Sequence, residues 1–166
     1  MNERLVCKME EVEIENVAEV GGKNASLGEM IKNLLSKGVR IPSGFIVTAF
    51  AYRFFLKETS LDEFIKETLR DLNTQKLKNL AERAKKVRNA ILKAEFPDSL
   101  KNAIVSSYRE MEREYGRNVD VAVRSSATAE DLPGASFAGE HDTYLGITGA
   151  QNAVAAVKSA MASLFT

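Results

Sequence analysis

The sequence predicts an α/β (α+β) fold that is rich in helices and contains a small mixed or antiparallel sheet. Short runs rich in β-branched residues at 41–48, 119–124 and 141–147 are typical of strands, and an early strand or two is expected within 5–20. Apolar residues at helical spacing occupy most of the remaining chain. Since no repeat or Pro/Gly linker divides the 166 residues, we expect 1–166 to belong to one domain.

The first helix is predicted over 24–37, after the early strands. Its apolar residues recur at helical spacing, and Gly38 follows them as a suitable C′ residue. The apolar positions are Ala25, Met30, Ile31, Leu34 and Leu35.

About four helices are predicted in the middle of the chain. The sequence Ser60-Leu-Asp-Glu63 has the form of a capping box, which marks a helix start. A longer amphipathic helix ends before Pro97, and Asp98 or Ser99 can cap the next one.

The helix that follows Pro97 carries a stripe of larger residues at helical spacing, namely Tyr108, Met111 and Tyr115. Such a stripe could stack on nucleic-acid bases, but this spacing is more typical of a face turned to the core, and we interpret it so. A terminal helix is indicated by the apolar spacing of Ala150, Val154, Val157, Met161 and Leu164.

Composition excludes several functional classes. The 23 basic and 23 acidic residues give a net charge of zero, which implies no electrostatic attraction to nucleic acid or membranes. No apolar run is long enough for a membrane span and no signal peptide is evident, so we expect a cytoplasmic protein. The single cysteine, Cys7, excludes an intramolecular disulfide and is interpreted as a small strand residue.

The segment from Val121 to Gly139 has the composition of a phosphate-binding loop. A short β-branched run ends at Arg124, and small or hydroxylated residues follow in Ser125-Ser-Ala-Thr128. Few side chains obstruct such a loop, so its N–H groups can face an anion, and an arginine adds a fork that matches phosphate oxygens. The alternative, an ordinary turn with a surface arginine, remains open at this point.

A second such element lies near the start of the chain. Gly21-Gly22 precedes the predicted first helix, and free N–H groups at a helix N-terminus favour anions. Lys23 stands at the same end, where a cation is unfavourable for the helix dipole unless an anion offsets it. A Gly-Gly turn with a solvated lysine is the alternative.

Taken together, these motifs closely resemble the N-terminal ATP-binding region of the phosphoenolpyruvate synthase (pyruvate, water dikinase) family. The matching elements occur in family order, and pyruvate phosphate dikinase and rifampin phosphotransferase share this domain. They are Gly21-Gly-Lys-Asn-Ala-Ser-Leu-Gly-Glu-Met30, Ile41-Pro-Ser-Gly-Phe-Ile-Val-Thr48 and Val123-Arg-Ser-Ser-Ala-Thr-Ala-Glu-Asp-Leu-Pro133.

The resemblance implies an ATP-grasp-like subdomain that supplies half of a nucleotide site. Lys23 and Arg124 would bind the ATP phosphates, with Arg124 as the catalytic residue. Gly139 and Thr143 would line the same site. The resemblance places the Mg²⁺ ligands and the residues that handle pyruvate outside this chain, and we assign no metal ligand within it.

One departure from the family pattern follows the glycine-rich loop. Glu140-His141 stands where the family usually has glutamine after the loop glycine. His141, the single histidine, lacks the Gly-Gly-rich, Thr-Ser-His context of the family phosphocarrier, so we reject it as the phosphorylated residue.

Two hypotheses about function follow. In the first, the chain is the truncated N-terminal part of a phosphotransferase, a kinase that converts ATP, pyruvate and water to AMP, phosphoenolpyruvate and phosphate, and is inactive alone. A rifampin phosphotransferase-like acceptor is the alternative within the family. In the second hypothesis, the chain is a stand-alone nucleotide-sensing or partner-docking module without catalysis.

Overall fold

A computed structural model describes residues 3–73, 77–126, 128 and 142–165. Within them the chain forms four strands and seven α-helices. The strands are β1 (Val6–Lys8), β2 (Phe45–Val47), β3 (Val121–Arg124) and β4 (Thr143–Ile147). The helices are α1 (Val17–Val20), α2 (Gly22–Leu34), α3 (Ala49–Glu58), α4 (Leu61–Leu69), α5 (Leu77–Lys93), α6 (Asp98–Tyr115) and α7 (Ala150–Ala162). The expected helix-rich α/β class is therefore confirmed.

The strands form two separate antiparallel pairs in the described part of the chain. β1 pairs with β2 through Cys7 and Ile46, and β3 pairs with β4 with a register shift between Val121 and Val123. The expected pairing of the strands at 119–124 and 141–147 is confirmed. The prediction allowed a single small sheet, whereas the structure has two two-stranded ones.

The first predicted helix is confirmed, and its buried face matches the expected one only in part. α2 is followed by a 3-10 turn, and Gly38 closes that turn in the left-handed conformation (φ 81°, ψ 8°), as expected of a C′ glycine. Met30 and Leu35 are 47% and 54% exposed, so their assignment to the apolar face was wrong. Ala25 and Ile31 are buried as expected, together with Gly28, which lies so close to Val12 that a Cβ would be 2.2 Å from the Val12 carbonyl oxygen.

The main core lies among α3, α5, α6 and α7. Phe55 and Phe96 meet edge to face at 4.7 Å between ring centroids, an arrangement favoured by the aromatic quadrupole. Other fully buried side chains in this core are Val87, Ile91, Leu100 and Ile104. A smaller cluster of Cys7, Val12, Val20, Ala25 and Ile46 packs beneath the start of α2.

The capping box expected at Ser60 does not form. Ser60 adopts the left-handed conformation (φ 54°, ψ 20°), and its side chain makes no capping hydrogen bond. An N-cap side chain reaches the helix from an extended backbone, which the tight turn between α3 and α4 does not allow here. Thr48 is a cap that the sequence analysis missed, since its hydroxyl accepts from the Ala51 N–H at 3.1 Å and donates to the Arg4 carbonyl at 2.6 Å.

Tyr108 is a core residue, as its spacing indicated, and its ring is fully buried, whereas the assignment of Tyr115 to the same core face was wrong, since Tyr115 is 47% exposed. Its hydroxyl donates to the Val119 carbonyl at 2.6 Å and accepts from the Gly149 N–H at 2.7 Å. One buried phenol thus joins α6 to the chain entering β3 and to the start of α7. No helix in the described residues is both long and apolar enough to cross a membrane.

Tyr108→Phe should therefore destabilise the fold by about 2 kcal/mol, because it leaves the half-buried Val119 carbonyl and Gly149 N–H without their partner. Urea unfolding followed by circular dichroism measures this change. Tyr115→Phe is the matched control, since Tyr115 is 47% exposed and its hydroxyl accepts from the Ser43 N–H at the surface. Equal effects of the two substitutions would contradict this account of the Tyr108 hydroxyl.

Candidate functional site

Gly21 separates α1 from α2 and determines where α2 begins. Its N–H donates to the Val17 carbonyl at 2.8 Å, and its own carbonyl accepts from the Ala25 N–H at 3.0 Å. Its backbone (φ 82°, ψ 159°) lies in a region that is essentially restricted to glycine. The glycine therefore ends one helix and starts the next without an intervening loop.

The N-terminus of α2 meets the segment that follows β3. The Asn24 N–H, one of the first four of the helix, donates to the Ser126 hydroxyl oxygen at 3.4 Å. A Cβ on Gly21 would lie 2.3 Å from that oxygen and 2.6 Å from the Ser126 carbonyl oxygen, so only glycine permits this approach. The two motifs singled out in the sequence, 102 residues apart at this contact, thus come together in the fold.

Arg124 and Thr143 are directly opposite each other in the β3–β4 register. Both are exposed, and Leu145, further along β4, is 68% exposed. On the other face, Val123 packs against the main core. Since paired residues of an antiparallel sheet share a face, Arg124 and Thr143 lie side by side on the open face.

Three of the four predicted site residues lie close to the contact between Asn24 and Ser126, two of them along the chain and one through strand pairing. Lys23 is exposed in the first turn of α2, one residue before the Asn24 that contacts Ser126. Arg124 precedes Ser126 by two positions, and Thr143 pairs with Arg124. Gly139 lies outside the described residues, as do Glu140 and His141.

Sequence reasoning missed the parts played by two serines after β3. Ser126 contacts the first turn of α2, and the Oγ of Ser125 is buried without a hydrogen-bond partner. Both had been described only as small residues of a loop. The available signal was a pair of hydroxyl residues directly after Arg124, but no local pattern indicates which helix they meet.

The chemical groups at this site suit an anion. They comprise an ammonium, a guanidinium, hydroxyls and the N–H groups at a helix N-terminus, whose partial positive charge favours phosphate. A cluster of carboxylates elsewhere, from Glu13, Glu15 and Glu29, has oxygen atoms within 4.8 Å of one another. The Lys32 ammonium already pairs with Glu13, and Asn33 donates to Glu29, so we assign no metal to this cluster.

Cys7 is a small buried strand residue, as expected, and is not suited to act as a nucleophile. It lies on β1, is 4% exposed and belongs to the small cluster beneath α2. Burial raises the pKa of its thiol to about 11, although the nearby Arg4 acts in the opposite direction. Because the thiolate is the reactive form, this cysteine is inert near neutral pH.

Comparison with known proteins identifies relatives over nearly the whole chain. The family model described as pyruvate phosphate dikinase, AMP/ATP-binding domain, matches residues 17–166. The chain is 52% identical over 163 residues to a phosphoenolpyruvate synthase of Aquifex aeolicus, covering 98% of this chain and 19% of the relative. It is 47% identical over 167 residues to the enzyme of that name from Synechocystis sp., covering 98% of this chain and 20% of the relative.

A probable phosphoenolpyruvate synthase of Methanocaldococcus jannaschii is 46% identical over 164 residues. That alignment covers 98% of this chain and 14% of the relative. The chain therefore spans about a fifth or less of the length of these relatives.

The burial of Cys7 predicts slow alkylation of the folded protein. At pH 8, a thiol pKa of about 11 rather than 9.0 lowers the thiolate population about a hundredfold. Reaction with iodoacetamide, followed by mass spectrometry, should be slower by at least that factor in the folded chain than in the same chain in urea. Similar rates in the two conditions would show that the thiol is accessible and ionised.

Proposed function

The chain belongs to the pyruvate phosphate dikinase AMP/ATP-binding domain family, and we propose that it forms one wall of an ATP site with Lys23 and Arg124 as its phosphate-binding cations. The observation that carries this proposal is the contact of Ser126 with the first turn of α2. It brings the lysine-bearing helix start beside the end of the strand that presents Arg124. Neither motif alone distinguishes a phosphate site from an ordinary turn.

Each proposed ligand has a physical role. Lys23 stands at the positive end of a helix dipole, an unfavourable position that a bound phosphate would offset. Arg124 offers a planar fork that matches two phosphate oxygens, and the Thr143 hydroxyl beside it can donate to a third. The family resemblance adds Gly139, whose N–H would complete the cradle.

The residues described at this wall do not fit Mg²⁺. The ion prefers carboxylate and carbonyl oxygens, whereas the groups here are cations and hydrogen-bond donors. We therefore assign no magnesium ligand among these described residues; the family resemblance places such ligands outside this chain, and the role proposed here for Lys23 and Arg124 is independent of a metal.

For the longer protein we propose an ATP-grasp-like phosphotransferase. Its reaction would convert ATP, pyruvate and water to AMP, phosphoenolpyruvate and phosphate through a phosphohistidine on another domain. Arg124 would stabilise the charge of the transferring phosphoryl group, which is the main contribution a protein makes to such reactions. The relatives named above are phosphoenolpyruvate synthases, which favours pyruvate over an antibiotic hydroxyl as acceptor and an enzyme over a stand-alone sensor.

Calorimetric titration of ATP, with Mg²⁺ present, into the 166-residue chain tests the ATP site. Lys23→Ala and Arg124→Ala should each weaken binding by roughly tenfold to a hundredfold, as expected for the loss of a charged hydrogen bond. Arg124→Lys should recover only part of the loss, because it keeps the charge without the fork.

Lys37→Ala and Arg117→Ala are the matched controls, since both remove an exposed cation outside the proposed site. They should bind ATP as the unaltered chain does. A folded chain without measurable ATP binding, or equal losses in the control variants, would contradict the proposed function of the chain.

A further inference from the structure

We propose that Ser126 is a positioning residue. Its close contact with Gly21 fixes the position of Arg124 relative to that of Lys23. The inference rests on the proposed function, because the separation of the two cations matters only if one ligand spans both. It adds to that function a residue that need not touch the nucleotide, because it acts by setting the separation of the two cations.

The contact leaves little freedom at the junction. The Ser126 hydroxyl, carbonyl carbon and carbonyl oxygen all lie within 2.8 Å of the position where a Cβ of Gly21 would stand. Backbone therefore approaches backbone, and the Asn24 N–H adds a hydrogen bond to the same hydroxyl. Sliding of one segment along the other would break the hydrogen bond or cause a steric clash.

The helix side of the junction is itself held in place. The Asn24 side-chain amide donates to the Val20 carbonyl at 2.8 Å, and Gly21 hydrogen-bonds to both helices that it separates. Val20 and Ala25 are buried in the small cluster shared with β1 and β2. The surface that Ser126 contacts is thus held in place, because neither α1 nor α2 can shift without disturbing this packing.

The strand side is also restrained. Arg124 is fixed at the end of β3 by its pairing with Thr143. Two residues of chain, at most about 7 Å, connect Arg124 with Ser126, so the position of one restricts the position of the other. Between them the buried Ser125 hydroxyl has no hydrogen-bond partner, and it therefore adds no polar anchor that could replace the contact made by Ser126.

This arrangement predicts a specific dependence on ligand length. ATP can reach both cations only when their separation is maintained, so pre-organisation lowers the entropy cost of binding. A monophosphate that contacts one cation has no such requirement. Loss of the Ser126 contact should therefore weaken ATP binding much more than AMP binding.

The test is a double-mutant cycle in the 166-residue chain, with ATP and AMP affinities measured by calorimetry. Ser126→Ala removes the hydroxyl and should weaken ATP binding about tenfold while changing AMP binding less than about twofold. Combined with Arg124→Ala, Ser126→Ala should have almost no additional effect, because its action passes through the arginine. A residue that only stabilises the fold would weaken ATP binding by the same factor in both backgrounds.

A second pair of variants tests the contact between Ser126 and Gly21. Gly21→Ala should weaken ATP binding at least as much as Ser126→Ala, because the new methyl group would displace Ser126. Gly116→Ala is the matched control: Gly116 has a similar backbone conformation (φ 105°, ψ 159°), but a Cβ there would meet nothing within 4 Å. Gly116→Ala introduces a comparable conformational strain away from the junction, so this variant should bind ATP normally. Urea unfolding is used first to show that both variants are folded.

The outcomes separate this inference from the proposed function. If the unaltered chain binds no ATP, the proposed function fails for this chain and the inference fails with it. If the unaltered chain binds ATP and responds to Arg124→Ala, but Ser126→Ala binds ATP normally or acts independently of Arg124, only the positioning role is overturned.

Discussion

The close approach of Ser126 to Gly21 is the constraint on which the proposed site depends. Gly21 belongs to the small packing unit formed by α1, α2 and the β1–β2 pair, whereas Ser126 follows a strand that packs on the main helical core. These parts carry the proposed phosphate-binding residues separately, so neither forms the site alone. A side chain at position 21 would force the backbones apart, because its first carbon would already overlap Ser126.

Local electrostatics supports the proposal that this junction binds a nucleotide. The chain has no net charge, so long-range attraction contributes little to ligand capture. At the junction, however, a lysine lies at a helix N-terminus and an arginine lies exposed on an open sheet face. Both cations are of the kind that a polyphosphate binds, which supports the proposed role of this junction.

The sequence was most informative where local physics decides the structure. The β3–β4 pairing, the C′ glycine at 38 and the buried ring of Tyr108 follow from β-propensity, left-handed conformation and helical spacing, and the structure agrees. Ser60 failed as a capping residue because the preceding turn set its backbone. Met30 was placed on the wrong face because α2 packs through small residues against Val12. Lys23 and Arg124 could be singled out by motif, but their proximity through Ser126 depends on a contact across 102 residues that no local pattern encodes.

The most direct test of the central claim is an ATP titration followed by ¹H–¹⁵N NMR on the isotopically labelled chain. If the helix start and the strand end form one phosphate-binding wall, the backbone amides of Gly22, Lys23 and Asn24 should shift together with the Arg124 side-chain Nε–H, with one common dissociation constant. ATP binding that leaves these four signals unchanged and shifts only residues of the shallow groove between β4 and α7, such as Tyr144, Asn152 and Ser159, would contradict the account.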